Sequence, residues 1–194
     1  MAPDDERGLV ARLRAGDTGA FDEVYEVYRP RVFAFLLRMT RRRAVAEDLL
    51  DETWLRLVRH AARLLPDTRL GPWLFTVARN LYWSQRRDAV VAESAIAELL
   101  TLWPSQVPWP SPFDLAAAGE LARRVERALS RLSPQYREVV LLVGHEGLTP
   151  IDAAAICGIS PEALRQRLSR ARAALAEKLR ETPAVAVLQK GLAT

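Results

Sequence analysis

Apolar residues recur along most of this chain at the three- and four-residue spacing of a helix face. Leu50, Trp54, Leu57 and Ala61 form one such series, Leu70, Leu74, Val77 and Leu81 a second, and Leu164, Leu168, Ala171, Leu175 and Leu179 a third. No stretch sustains two-residue alternation between hairpin turns, so the pattern predicts an all-α protein. The helix starts share one device. Ser111-Pro112, Ser133-Pro134, Thr149-Pro150 and Ser160-Pro161 each set a hydroxyl before a proline. The hydroxyl accepts an N–H that the first turn leaves unpaired, and proline at the first helical position has no N–H to satisfy. Ser111 with Asp114, and Thr149 with Asp152, resemble capping boxes with Asp in place of Glu. Together these signals predict helices over about 6–15, 18–28, 30–41, 44–64, 71–88, 113–131, 134–145, 150–157 and 161–182.

Charge divides this helical string. The chain has 194 residues, with 28 Lys+Arg against 24 Asp+Glu. Residues 1–90 and 120–194 are each net basic, whereas residues 91–119 contain no cation and hold Pro104, Pro108, Pro110 and Pro112. Proline at that density opposes helix and sheet alike. The expected organisation is two small helical domains, 1–90 and 120–182, joined by a flexible linker over 91–119 and followed by a short tail over 183–194. Trp103, Trp109 and Phe113 lie in the linker, and aromatics of that size in a spacer predict that part of it packs against something.

Composition narrows the chemistry. The lone cysteine, Cys157, excludes an intrachain disulfide and a Cys-based zinc site, and two isolated histidines, His60 and His145, give no metal centre. Glu47, Asp48, Asp51 and Glu52 have no accompanying His, and no Gly-rich loop offers a phosphate cradle, so neither an enzyme nor a bound cofactor is expected. The acidic start lacks a secretory h-region and no run of 18 apolar residues occurs, which predicts a cytoplasmic protein without membrane insertion. All but two of the cations, Lys178 and Lys190, are Arg. Coding bias accounts for most of that ratio, so the positions of the charges carry the argument.

Those positions favour nucleic acid. In Thr149–Leu179, Ala154, Gly158 and Leu164 have helix-turn-helix spacing: a small residue where helices cross, a glycine for the left-handed turn, and an apolar residue closing the core. On the following helix Glu162, Arg165, Gln166, Ser169 and Arg170 face outward or to the flank, with Arg167 and Arg172 placed for phosphates. Arg and Gln can pair bidentately with guanine and adenine edges. In the N-terminal half, Asn80, Trp83 and Arg87 share a helix face beside Arg79 and Arg86. Guanidinium, indole and amide groups together suit single-stranded nucleic acid. A third surface, Glu47, Asp48, Asp51 and Glu52 with Arg56, lies opposite the Leu50/Trp54/Leu57 face and suits a basic partner.

Taken in order, these segments resemble the extracytoplasmic-function class of bacterial sigma factors of the sigma-70 type. Gly16-Asp17 with Ala20-Phe21 is similar to the family's opening motif, and Ala46-Glu47-Asp48-Leu49 through Leu57 to its core-binding segment. Pro72-Trp73-Leu74 with Ala78-Arg79-Asn80 is similar to the promoter-melting segment, Leu132-Ser133-Pro134 with Arg137-Glu138-Val139 to the start of region 4, and Arg165 to Leu175 to the −35-reading helix. Asp51 and Trp54 depart from the usual Gln and Phe or Tyr, and the Leu64–Gly71 loop is short.

The resemblance implies a factor that binds core RNA polymerase, region 2 on the clamp coiled coil and region 4 on the flap. It implies −35 reading as duplex, and capture of a flipped −10 base by Asn80 and a pocket formed by the 64–70 loop. It also implies restraint by an anti-sigma factor. The alternative is a helix-turn-helix regulator with an N-terminal sensor or dimerisation domain.

Overall fold

The computed structural model describes the backbone of residues 3–96 and 119–181. Eight α-helices occur among them: α1 (Pro3–Arg14), α2 (Thr18–Thr40), α3 (Arg43–His60), α4 (Leu70–Ile96), α5 (Glu120–Ser130), α6 (Pro134–Val140), α7 (Pro150–Cys157) and α8 (Pro161–Glu181). A 3₁₀ turn, Ala61–Arg63, follows α3, and α6 widens into a π turn over Leu141–His145. No described residue lies in a strand. The first bundle packs α2, α3 and α4 against one another with α1 across α2, and the second packs α8 against α5, α6 and α7.

The largest departure from expectation lies in α2. Two helices separated near Pro30 were expected, yet one helix runs through it from Thr18 to Thr40. Proline removes one internal hydrogen bond and normally breaks a helix. Here Ala20, Val24, Tyr28, Val32, Phe35 and Met39 continue one buried stripe on both sides of it. Tertiary burial of that stripe outweighs the local defect. The helix ends at Arg41, a non-glycine residue in the left-handed region (φ 60°), whose N–H donates to the Leu37 carbonyl at 2.9 Å. The α4 helix runs on to Ile96, past the expected end at 88, through a segment rich in alanine and free of proline.

The hydroxyl-proline caps form as expected wherever they are described. Ser133 Oγ accepts from the Tyr136 N–H at 3.4 Å, Thr149 Oγ1 from Asp152 at 3.1 Å and Ser160 Oγ from Ala163 at 3.1 Å. The Thr149/Asp152 pair is half a capping box. Asp152 Oδ2 accepts from the Thr149 hydroxyl at 2.8 Å, where a full box would reach a backbone N–H. The shorter Asp side chain meets the hydroxyl first. Ser111-Pro112, the Ser111/Asp114 pair, Trp103, Trp109, Phe113 and the tail lie outside the described residues.

The two bundles meet along α2 and α4 on one side and α6 and α7 on the other. Arg137, on α6, is the main clasp and is only 4% exposed. It donates to the carbonyls of Leu129 (2.9 Å), Ser130 (2.8 Å) and Leu132 (2.9 Å) at the end of α5. It also reaches Arg38 (3.2 Å) and Met39 (3.3 Å) in the last turn of α2. Carbonyls at helix C-termini lack intrahelical partners and favour a cation. One guanidinium therefore serves two helix ends in different bundles. Burial pushes it down to about 10, which leaves it charged at neutral pH.

Candidate nucleic-acid interface

The helix-turn-helix forms on α7 and α8. Gly158 takes φ 65°, and the N–H groups of Gly158 and Ile159 donate to Ala155 O and Ala154 O, both at 3.1 Å. This crossed pair closes α7 and needs the left-handed residue at its centre. Ala154, Leu164, Leu168 and Ala171 are buried. That packing turns Glu162, Arg165, Gln166, Ser169, Arg170 and Arg172 to solvent, with Arg167 half-buried on the flank. The expected reading face of α8 is thus open and continuous.

The corresponding face of α4 is not. Its N-terminus is fixed by Glu6 of α1, whose Oε1 accepts from the Leu70 N–H at 2.8 Å. Tyr28 lies against Gly71, where an added Cβ would meet its ring at 3.3 Å. Asn80, Arg86 and Arg87 face solvent, while Arg79 and Trp83 are half-buried under α6. Glu138, with no exposed surface, takes both on one oxygen: Oε1 accepts from Arg79 Nε at 2.7 Å and from Trp83 Nε1 at 2.8 Å. Arg79 also donates to Asn80 Oδ1 at 3.2 Å and lies over the Trp83 ring. Cys157, expected in the core, is buried beside this cluster. Burial first, and the Glu138 charge second, push its thiol up to about 12, so it is inert as a nucleophile.

Three further ion pairs join the bundles. Arg31 Nε meets Glu146 Oε2 at 3.0 Å, Arg38 Nη2 meets Glu126 Oε1 at 2.7 Å, and Arg69 pairs with Asp152. Arg69 belongs to the 64–70 loop expected to shape the −10 pocket. These partners carried no signal in the periodicity: Glu138 read only as part of a helix start, and nothing local indicated what would face Arg31, Arg38 or Arg69.

The acidic surface of α3 stands apart from both. Asp48 and Asp51 are exposed, and neither makes an ion pair among the described residues. Glu47 pairs with Arg43 at 2.8 Å, and Glu52 with Arg56 at 3.0 Å. Leu55 and Val58, absent from the expected set, are exposed on the same stripe at helical spacing from Asp48 and Asp51. Behind them Trp54 stacks with Tyr25 and Phe21, at 4.9 and 5.9 Å between centroids.

Comparison with known proteins agrees with this architecture. The family pattern described as Sigma-70 region 2 matches residues 24–90, and that described as Sigma-70, region 4 matches residues 122–175. The RNA polymerase sigma factor CarQ of Myxococcus xanthus is 37% identical over 170 residues, 88% of this chain and 92% of that protein. The ECF RNA polymerase sigma factor EcfG of Rhodopseudomonas palustris is 32% identical over 154 residues, 77% of this chain and 80% of that protein. Among solved structures, the sigma factor RpoE of Bartonella quintana, in complex with the anti-sigma factor NepR, aligns with a TM-score of 0.67 at 27% identity, covering 84% of this chain and 98% of that one. CnrH in complex with the cytosolic domain of CnrY aligns at 0.69 with 23% identity over 92% and 99% of the two chains, a likeness of fold. With both sigma-70 regions matched in order on two joined helical bundles, the chain belongs to the extracytoplasmic-function family of sigma-70-type RNA polymerase sigma factors, which direct transcription initiation.

Proposed function

We propose that this sigma factor reads its promoter with two helices, α8 on the duplex −35 element and α4 on the single-stranded −10 element, and docks on core RNA polymerase through α3. The observation that carries the reading is the outward face of α8, which sets Arg165, Gln166, Ser169 and Arg170 together in solvent above a buried Leu164/Leu168/Ala171 stripe. Arg165 and Gln166 discriminate bases, Arg167, Arg170 and Arg172 hold phosphates, and Glu162 and Ser169 complete the contact edge. On α4, Asn80 reads a base edge, Trp83 stacks, and Arg79, Arg86 and Arg87 follow the backbone. Residues 1–90 form the polymerase and −10 module, 120–182 the −35 module, and 91–119 the tether. The factor acts in the cytoplasm without catalysing a reaction itself. The RpoE–NepR complex supports an anti-sigma partner for this chain as well.

In vitro transcription from a random promoter library with core enzyme tests the whole reading. The selected promoters should share a −35 and a −10 element, and Asn80→Ala should relax the −10 preference more than the −35. Asp48→Arg with Asp51→Arg should weaken capture of core polymerase. Unchanged capture by that double variant would remove the α3 assignment.

A further inference from the structure

The contact between the bundles covers part of the −10 face, and its charges are ordered. In each of four ion pairs the cation belongs to the first bundle and the anion to the second: Arg31 with Glu146, Arg38 with Glu126, Arg69 with Asp152, and Arg79 with Glu138. The second bundle therefore presents a row of carboxylates to arginines on α2, α4 and the 64–70 loop. Nucleic acid presents anionic groups to such arginines in the same way. The sharpest correspondence is at Glu138, whose single oxygen takes the Arg79 guanidinium and the Trp83 indole N–H.

The geometry points to an intramolecular competitor: region 4, through Glu138 and its flanking carboxylates, occupies the site of the −10 strand, so promoter melting requires the bundles to part. This inference rests on the assignment of Arg79 and Trp83 to the −10 face. Two features make the closure reversible. Glu138 Oε2 and Glu126 Oε2 are buried without hydrogen-bond partners, so the contact carries a desolvation cost that separation removes. Asn80, Arg86 and Arg87 stay in solvent beside the closed pair, which gives an incoming strand a first foothold before it displaces Glu138. The outward face of α8 is untouched by closure, so −35 binding precedes and survives it.

The test uses the full chain, a fluorescent −10 non-template oligonucleotide and a −35 duplex. Glu138→Gln keeps the shape and removes the charge, and should tighten oligonucleotide binding about fivefold or more without changing affinity for the duplex. In a Cys157→Ala background, Arg69→Cys with Asp152→Cys can be joined by a short cleavable bis-maleimide. The joined form should bind the oligonucleotide about tenfold more weakly than the same protein after cleavage, with the duplex affinity equal in both. Equal oligonucleotide binding before and after cleavage would overturn the competitor. If holoenzyme made with the cleaved protein shows no −10 preference at all, the assignment of α4 itself fails, and the competitor with it.

Discussion

The two helices assigned to promoter DNA are built from the same ingredients and left in opposite states. Both carry a buried aliphatic stripe and an outer face of arginines with an amide. On α8 that face is open along its length, whereas on α4 two of its five residues, Arg79 and Trp83, are held by Glu138 from the other bundle. The difference lies outside either helix. It depends on where α6 comes to rest, which is set by Arg137 clasping the ends of α5 and α2. A reading face is thus made by local periodicity and withheld by tertiary contact.

The strongest way to break the comparison is to remove the clasp. Arg137→Met leaves buried carbonyls at two helix ends without a donor, each orphan costing about 1–3 kcal/mol, so a loss of about 4 kcal/mol or more is expected. Denaturant unfolding would measure it. If the loss is below about 1 kcal/mol, water or a neighbouring side chain replaces the clasp and the ends are not held by Arg137.

Within α8, the inner and outer faces should separate by readout. Leu164 is fully buried, and Leu164→Ala should cost about 3 kcal/mol of stability. Its exposed neighbour Arg165→Ala should leave the melting temperature nearly unchanged yet cost about 1–3 kcal/mol of −35 discrimination. A promoter library without a shift at any −35 position would dismiss Arg165 as a reader.

What could be read from the amino acids alone follows the same division. The three described hydroxyl-proline caps, the Ala154/Gly158/Leu164 turn and the outward face of α8 were legible because each is decided within a few residues. The continuity of α2 through Pro30 was not, since the stripe from Ala20 to Met39 gains its weight from helices elsewhere in the chain. Trp83 was weighed as a stacking platform or as core, and it is neither wholly: its ring is half-buried and its N–H is spent on Glu138, 55 residues away. Leu55 and Val58 were passed over because attention went to the acids around them, although their place opposite Leu50 and Leu57 was visible in the spacing.

Left-handed positions offer a smaller test of the two bundles. Each has a helix ending in this conformation, but the second uses Gly158 and the first uses Arg41. A side chain there costs about 1–2 kcal/mol. Arg41→Gly should therefore stabilise by about 1 kcal/mol, and Gly158→Ala should destabilise by a similar amount, with nothing within 4 Å of the added Cβ to confuse the cause. Thermal melts that move in the same direction for both would show that contacts of the Arg41 side chain outweigh its backbone.

The smallest effect concerns how the bundles cap their helices. The α2 cap is a carboxylate: Asp17 Oδ1 accepts from the Gly19 N–H at 2.8 Å, and Oδ2 pairs with Arg12 at 2.7 Å. The Arg12 hydrogen bond foremost, then the backbone donors, hold Asp17 below its usual range. A carboxyl depressed in the folded state stabilises fully above its unfolded value and loses that contribution as pH falls through the folded one. The caps of the second bundle are hydroxyls and do not titrate. Asp17→Ala should thus lower the melting temperature at neutral pH by a margin that narrows in acid, whereas Ser160→Ala should cost about 1 kcal/mol at either pH. Melts at pH 7 and in strong acid would separate them, and a margin for Asp17→Ala that stays constant would mean the cap works through its shape and not its charge.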